Sequence, residues 1–266
     1  MRLSLAQRFG AVVLAVVVLA AVWSQLAGFD PVLGVAPQAA NLGPSLAHPL
    51  GTDHLGREVI TRLAAACGAF VFPGLLAVTL CGALAVPLGA LAGWAGGSVE
   101  RFVRAMLGTV ASIPPLVLAL LLCSAWGNSH THLALAAAIA YMPTFAEAVF
   151  ARIATLRQAE FLVAARAYGL SEWRIVWRHL IVAACGPTIA RQGLLLFSEY
   201  LVLETTLSYL GGFGVQEPMP SWGNMITFEW GRGNLAPLAA PVIALWLTLL
   251  ALAWLAHGAA EERSHV

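Results

Sequence analysis

The sequence of 266 residues contains no lysine, because all fourteen of its basic residues are arginine. A Walker-type phosphate-binding loop needs a lysine that reaches the terminal phosphates of the nucleotide. The chain also lacks a glycine-rich loop that leads from a strand into a helix. We therefore expect no ATP hydrolysis by this route.

Charged residues of either sign are scarce. They make up 10% of the sequence, whereas hydrophobic residues make up 60%. A water-soluble globule of this length needs more polar surface than that. The composition indicates a membrane protein, with lipid and not nucleic acid as its surroundings.

Cysteine is also rare. The four cysteines are dispersed along or beside apolar runs, with no CxxC pair and no histidine at ligand spacing; they are Cys67, Cys81, Cys123 and Cys185. This pattern is typical of small core residues and not of disulfides or metal ligands. We expect no metal site in the chain.

Long apolar runs recur along the sequence. A helix needs about 20 apolar residues to cross the hydrocarbon core of a bilayer, and the alternating strands of a membrane barrel are absent. The first run is expected to be a retained anchor and not a signal peptide, because no clear small-x-small cleavage site follows it. The sequence predicts an all-α integral membrane protein with about six transmembrane helices, at 9–27, 68–94, 102–126, 132–150, 181–210 and 238–257.

The positions of the arginines predict the orientation of the helices, because positively charged loops stay in the cytoplasm. With six spans and a cytoplasmic N-terminus, only Arg57, Arg62 and Arg232 fall outside. Ten arginines then lie in the cytoplasm or at its edge: Arg2, Arg8, Arg101, Arg104, Arg152, Arg157, Arg166, Arg174, Arg178 and Arg263. Arg191, which follows the helix-breaking pair Gly186 and Pro187, is expected to extend to the inner interface. We expect a multi-pass protein of the cytoplasmic (inner) membrane.

The segment 159–180 is too polar to cross lipid and too regularly patterned for a slack linker. Its first half predicts a helix with small alanines on one face, where another backbone can come close. Gly169 is expected to end that helix and redirect the chain. Ser171 is then a candidate N-cap for a second helix, with Glu172 in its first turn.

The second helix of this segment predicts two stripes. Leu170, Trp173, Trp177 and Leu180 follow one stripe, while Arg174 and Arg178 share another at i, i+4 spacing. Taken alone, this helix is compatible with one that lies on anionic lipid headgroups, with both tryptophans at the membrane boundary. A helix-turn-helix element that docks on a cytoplasmic partner is the other interpretation.

Four motifs carry a resemblance to a known family. The run AARAYG at 164–169, followed by WRI at 173–175 and RH at 178–179, resembles the EAA loop of permease subunits of ATP-binding-cassette importers. The run HPLGTDHLGREV at 48–59 resembles a signature of the second-type permeases for dipeptides, oligopeptides and nickel. The runs LSYLG at 207–211 and GVQEP at 214–218, continued by PSWGNM at 220–225, and SIPP at 112–115 are similar to that group in the same order.

The resemblance implies a type I importer permease fold that works by alternating access on peptides; nickel or haem ligands of the same family are the alternative. It implies a second homologous permease as a heterodimer partner, two cytoplasmic ATPase subunits or domains that bind ATP and Mg²⁺, and an extracytoplasmic solute-binding protein. The chain itself would bind no cofactor and supply no catalytic residue. The residues implied at the ATPase contact are Ala164, Ala165, Arg166, Tyr168, Gly169, Trp173, Arg174 and Arg178, and those of the extracytoplasmic motif are His48, Gly51, Asp53, Gly56 and Arg57.

Charges inside spans are costly and point to function. Glu199 lies deep in the fifth span and Glu204 nearer its outer end, and we assign both to the translocation path. At 100° per residue the two side chains are about 140° apart around the helix, so both cannot face one narrow pore. For Glu199, pairing with a partner subunit stays open as an alternative.

The loops on the outer side allow two interpretations. Residues 53–63 are predicted as a short amphipathic helix capped by Thr52 or Asp53, which either touches a substrate-delivering protein or packs on the ends of the bundle. Trp222, Phe228 and Trp230 are predicted as an aromatic cluster that anchors the chain at the membrane interface, with a substrate cage as the alternative. We divide the chain into an N-terminal helix with its loop (1–67) and a permease domain (68–266).

Two other classes of membrane protein are alternatives. A proton-coupled secondary transporter would use the glutamates as a relay, but such folds often show inverted repeats and none is found here. An intramembrane enzyme would need a Ser/His, HExxH or paired-Asp constellation within the membrane. The histidines of this chain lie mostly in loops or at the ends of spans.

Overall fold

The computed structural model describes residues 4–28, 30, 34–157, 159–160, 162, 165, 168–230 and 235–261. Within these residues the regular structure is helical, and the sole β feature is an isolated antiparallel bridge between Thr52 and Glu58. The helices are α1 (Leu5–Leu26), α2 (Val59–Ala95), α3 (Gly97–Ala111), α4 (Pro115–Trp126), α5 (His130–Leu156), α6 (Glu172–Ala184), α7 (Gly186–Leu210), α8 (Trp222–Glu229) and α9 (Leu235–Glu261), with a 3-10 turn at Pro37–Ala39.

The helices agree with the predicted number of spans. In the described part of the chain, α1, α2, α5 and α9 are each long and apolar enough to cross a membrane, and the number is six if each of two bent pairs is one span. One pair is α3 and α4, which meet at 78°; the other is α6 and α7, which meet at 57°. The all-α membrane fold is confirmed.

Both bends coincide with prolines. We predicted 102–126 as one continuous span, but the chain breaks between Ala111 and Pro115. Pro114 disfavours a helical conformation in the residue before it, and Pro115 is well placed as the first residue of a new helix. The break between α6 and α7 likewise falls at Cys185, two residues before Pro187.

The second helix is longer than predicted. At 37 residues, α2 extends about 55 Å, well beyond the hydrocarbon core. The short helix predicted at 53–63 is wrong, because the chain turns at Asp53 and Gly56 and α2 begins only at Val59. The predicted boundary between 1–67 and 68–266 falls inside α2, and this division stays a prediction.

The core of the bundle is the packing of α2 against α5. Small residues allow the two backbones to come close: a β-carbon at Gly89 would lie 2.4 Å from the carbonyl oxygen of Ala146, and one at Gly93 would lie 2.9 Å from that of Phe150. Close approach through small residues is how helices pack in a membrane, where no hydrophobic force drives them together. α1, α7 and α9 complete the bundle.

The connections lie at two opposite ends of the bundle. The end that we call the Asp53 end contains the segment before α2, the loop after α7, and α8. The end that we call the Gly169 end contains the α2–α3 turn, the end of α5, and the segment leading into α6. Both ends carry motifs identified in the sequence.

Candidate functional sites at the two ends of the bundle

A tight turn at the Asp53 end explains the spacing of the motif at 48–59. The carboxylate of Asp53 accepts hydrogen bonds through Oδ1 from the backbone N–H groups of Leu55 and Arg57, both at 2.9 Å. Gly51 and Gly56 have φ values of +75° and +77°, which side chains rarely adopt. A β-carbon at Gly56 would also lie 1.9 Å from the carbonyl oxygen of Ala36. The turn therefore requires glycine at these positions.

Four charged groups form a network behind this turn. Asp53 Oδ2 accepts a hydrogen bond from Arg57 Nε at 2.7 Å. Glu217 accepts one from Arg57 Nη1 at 2.9 Å and one from Arg62 Nη2 at 2.7 Å. Arg57 and Arg62 are 4% and 2% exposed, and Asp53 is 5% exposed. We call these four residues the charge network.

The charge network is internally balanced, with two guanidinium groups and two carboxylates. Burial lowers the pKa of Arg57, but its hydrogen bonds to Glu217 and Asp53 outweigh burial, so the pKa of Arg57 is raised above its ordinary value. Buried charges of this kind are tolerated only when they are paired and hydrogen-bonded. For Asp53 and Arg57, the structure therefore agrees with the interpretation in which this segment packs on the ends of the bundle.

Two histidines of the motif contact glutamates. His48 Nδ1 contacts Glu58, and His54 Nδ1 lies 2.8 Å from Oε1 of Glu229 in α8. Asp53, His54 and Glu229 place three potential metal-ligand atoms within 4.8 Å of one another. However, Asp53 is already engaged by both guanidinium groups, and their positive charge opposes a bound cation. The expectation of no metal site stays a prediction.

The second outer motif packs against the first. Asn224 accepts a hydrogen bond from the backbone of Ser221, which caps α8, and its amide donates to the carbonyl oxygens of Val215 and Met219 at 3.2 and 2.9 Å. The chain at 214–225 is thus folded around one asparagine. Together with Glu217 and Arg57, this joins two motifs that lie about 160 residues apart in the sequence.

Sequence reasoning missed several residues of this end. Arg62, Glu217, Asn224 and Glu229 were not assigned a role, although two of them fall within a motif. Trp222 was predicted as an interfacial anchor, and this is wrong: it is 1% exposed, its ring centroid lies 4.7 Å from that of Phe70 and its Nε1–H donates to a backbone carbonyl of α2. The roles of these residues depend on tertiary contacts with distant parts of the chain, and their local sequence does not indicate such contacts.

The two glutamates of α7 differ in environment. Glu204 is fully buried, and its Oε1 accepts a hydrogen bond from Ser208 at 2.7 Å. Ser208 in turn accepts one from the backbone N–H of Val215 at 2.8 Å, so this part of α7 holds the loop that follows it. Glu199 is only partly buried and lies within electrostatic range of Tyr141 on α5. Assignment of both to the translocation path stays a prediction.

The Gly169 end presents aromatic and cationic side chains to the exterior. Ala164 and Arg166, two of the predicted coupling residues, lie outside the described residues. Ala165 is partly buried against the core, whereas Tyr168 is 87% exposed. Gly169 has a φ of +74°, in agreement with its predicted role as the point where the chain changes direction.

The helix after this turn departs from α-helical geometry. Ser171 is its N-cap, as predicted, although its side chain makes no capping hydrogen bond. From Ile175 to Ala184 the hydrogen bonds are π-helical, so the buried side chains of Ile175 and Leu180 share a face at i, i+5 spacing. The predicted stripe of tryptophans with Leu180 is therefore wrong.

The exposed face of α6 carries the remaining predicted coupling residues. Trp173 and Trp177 are 74% and 51% exposed, and their rings stack with centroids 5.9 Å apart. Arg174 and Arg178 are exposed beside them. Large aromatic side chains that stay outside the core are typical of a surface that contacts a protein partner or the membrane, and we call these four residues with Tyr168 the aromatic-cationic patch.

Comparison with known proteins gives consistent results. Residues 85–259 match the family described as binding-protein-dependent transport system inner membrane component. A glutathione transport system permease protein of Pectobacterium atrosepticum is 30% identical over 220 residues, which is 82% of this chain and 72% of that protein. A dipeptide transport system permease protein of Alkalihalophilus pseudofirmus is 29% identical over 218 residues, 82% of this chain and 71% of its own length.

A further relative is the probable D,D-dipeptide transport system permease protein of Escherichia coli K12, which is 31% identical over 217 residues, 81% of this chain and 72% of that protein. The family match over residues 85–259 includes the motifs at 164–179 and 207–225, and it agrees with the apolar helices of the structure. The chain therefore belongs to the family of inner-membrane components of binding-protein-dependent transport systems.

Proposed function

We propose that the chain is the permease subunit of an ATP-binding-cassette importer that moves short peptides across the inner membrane by alternating access. The observation that carries this proposal is the family match over 85–259. Peptides are favoured over nickel or haem because the three relatives described above are named for dipeptide, D,D-dipeptide or glutathione transport. All three cargoes are short peptides.

We infer the orientation of the chain in the membrane from which arginines form ion pairs within the protein. At the Asp53 end, Arg57 and Arg62 are paired with carboxylates inside the protein. At the Gly169 end, Arg174 and Arg178 are exposed. Since exposed positive charge is retained in the cytoplasm, we place the Gly169 end and the N-terminus there and the Asp53 end outside.

The aromatic-cationic patch is proposed to bind the cytoplasmic ATPases. Exposed aromatic rings beside arginines have the composition of an interface, and the turn at Gly169 fixes them to α6 and, through its 57° bend, to α7. Movement of a docked ATPase would thus tilt a membrane helix. Two ATPase subunits or domains bind ATP and Mg²⁺, while this chain binds no cofactor and hydrolyses nothing.

The remaining partners are assigned to the membrane and to the outer side. A second, homologous permease completes the pore, and an extracytoplasmic solute-binding protein delivers peptide to the Asp53 end. A cavity of about 580 Å³ opens there between α1, α2 and the loop after α7, lined in part by Gln25, Phe72, His130 and Met219. We assign Glu199 and Glu204 to the path from this end inwards.

The test is reconstitution of the chain with the second permease, the ATPases and the binding protein encoded beside it. We expect uptake of labelled dipeptide or glutathione into proteoliposomes only when ATP, both ATPases and the binding protein are present. Uptake driven by a proton gradient without the ATPases would replace this proposal with a secondary transporter. ATP-dependent uptake of nickel or haem but of no peptide would retain the importer and reject the cargo.

A further inference from the structure

We propose that the Gly169 end contains a binding site for the phosphate of an anionic phospholipid, between α5 and α7. The site is a cavity of about 360 Å³ lined by residues of α5, the first turns of α7 and the end of α9. Its lining includes Arg152, Thr155, Pro187, Arg191, Gln192 and Ala259. None of these residues belongs to the proposed coupling surface, translocation path or outer motifs.

Two arginines that have no carboxylate partner among the described residues give the cavity its charge. Arg152 on α5 and Arg191 on α7 form no ion pair with any carboxylate that the structure describes. This distinguishes them from Arg57, Arg62 and Arg104, which are all paired. Both guanidinium-bearing residues line the same cavity, and guanidinium groups are well suited to bind phosphate oxygens.

One donor of a cavity-lining arginine has no acceptor among the described residues. Nε of Arg152 is buried and has no hydrogen-bond partner in the described part of the chain. Buried donors are nearly always satisfied, so a charged donor with no acceptor among the described residues is well suited to receive one from a ligand. A phosphate oxygen supplies such an acceptor together with the opposite charge.

The start of α7 adds to the positive potential. This helix of 25 residues begins at Gly186, and no side chain caps its N-terminus. Pro187 and Thr188 of its first turn line the cavity, so the positive end of the helix dipole lies beside Arg152 and Arg191. Helix N-termini favour anions for this reason.

The position of the cavity identifies a lipid as the source of the phosphate. Arg152 lies one turn from the end of α5, and Arg191 lies near the start of α7, at the level where membrane-spanning helices meet the headgroups. The small residues Ala148, Ala151 and Ala259 form the rest of the wall. Basic pockets between membrane helices typically bind anionic headgroups.

The experiment measures retention of phosphatidylglycerol by the purified full-length chain with native mass spectrometry, after extraction from vesicles of phosphatidylcholine and phosphatidylglycerol. The variant is Arg152→Gln with Arg191→Gln, and the matched control is Arg101→Gln, an exposed arginine at the same end that does not line the cavity. We expect about tenfold weaker retention in the double variant and parental retention in the control. Phosphatidylglycerol should also raise the unfolding temperature of the parent but not of the double variant.

Several outcomes would overturn the lipid site. Equal loss of retention in the Arg101→Gln control would indicate general surface charge. A rise in unfolding temperature with inorganic phosphate alone would indicate a site for the free anion. If the double variant retains phosphatidylglycerol like the parent but no longer assembles with its partner subunits, the two arginines bind an acidic side chain of a partner.

Discussion

The two ends of the bundle use charge in opposite ways. At the Asp53 end, Asp53, Arg57, Arg62 and Glu217 neutralise one another within the chain and three of them are almost fully buried. At the Gly169 end, the aromatic-cationic patch has its side chains outside the core. Groups with internal partners fix a conformation, whereas exposed aromatic groups need an external partner to be buried. The comparison therefore separates an end held together by internal ion pairs from an end for which we propose a docking role.

The strongest way to break this comparison is to disturb the turn of the Asp53 end. In Gly56→Ala, the new β-carbon would lie 1.9 Å from a backbone oxygen, in a residue with a φ of +77°. We expect a loss of more than about 4 kcal/mol in the free energy of unfolding, or no folded protein at all. Titration with SDS, followed by tryptophan fluorescence, measures the loss.

The matched control for Gly56→Ala is Gly28→Ala. Gly28 has a similar φ of +61°, but a β-carbon there meets nothing within 4 Å. This variant carries only the backbone strain, about 1–2 kcal/mol. If both variants unfold at the same SDS concentration, the close approach to Ala36 does not hold the turn.

The next largest effect is expected in the charge network. Arg57→Gln leaves Asp53 and Glu217 with Arg62 as their only cation among the described residues. Removing one partner from a buried ionic network typically costs about 3–5 kcal/mol, and we expect the lower part of that range because Arg62 remains. The free energy of unfolding is again the measurement.

Arg104→Gln provides the comparison for this variant. Arg104 pairs with Glu100 and Glu147 near the Gly169 end, but its side chain is 50% exposed. A pair exposed to that extent contributes about 0–1 kcal/mol. Equal losses in Arg57→Gln and Arg104→Gln would show that burial of the charge network adds nothing to stability, and the distinction between the ends would fail.

The sequence predicted the parts of this fold that depend on local pattern. Apolar runs predicted six spans because burial in lipid is a property of each helix alone. The clash that requires glycine at position 56 involves Ala36, twenty residues away, and the pairing of Arg62 with Glu217 spans 155 residues. No local pattern reports such contacts, although the resemblance correctly drew attention to both outer motifs.

The segment 159–180 shows the same limit of prediction from local sequence. Its turn at Gly169 and its N-cap at Ser171 were predicted, because both depend on single residues with known preferences. The buried side of α6 was not predicted correctly, because a shift from i+4 to i+5 hydrogen bonds rotates every later side chain around the helix axis. That shift is why Leu180 lies in the core while Trp177 does not.

Gly169→Val and Gly211→Val sharpen the comparison, because the two variants add the same backbone strain at opposite ends of the bundle. Gly169 and Gly211 each have a φ of +74°, and a β-carbon at either position would meet nothing within 4 Å, but Gly211 lies at the Asp53 end. Each change to valine should cost about 1–2 kcal/mol of stability. In the reconstituted importer, we expect only Gly169→Val to lower peptide uptake per ATP hydrolysed, by about tenfold.

The ratio of uptake to hydrolysis is the decisive quantity for this pair. A loss of uptake and hydrolysis together in both variants would indicate general destabilisation. If Gly169→Val transports as much peptide per ATP as the parent, the turn at Gly169 does not transmit movement from the ATPase, and the coupling role must be assigned elsewhere.

The smallest effect is expected from Trp173→Ala, which tests whether the exposed aromatic surface is a docking surface. Trp173 is 74% exposed and Trp230, at the opposite end, is 68% exposed, so neither truncation should change stability by more than about 0.5 kcal/mol. We expect Trp173→Ala to weaken binding of the ATPase subunit about three- to tenfold, measured by surface plasmon resonance on the permease in nanodiscs. Trp230→Ala should bind like the parent.

A photoreactive group at Tyr168 gives the independent check, because a docking surface must yield cross-links to the ATPase. Cross-links to lipid alone, with unchanged binding in Trp173→Ala, would show that these rings lie on the membrane and that the two ends differ in burial but not in role.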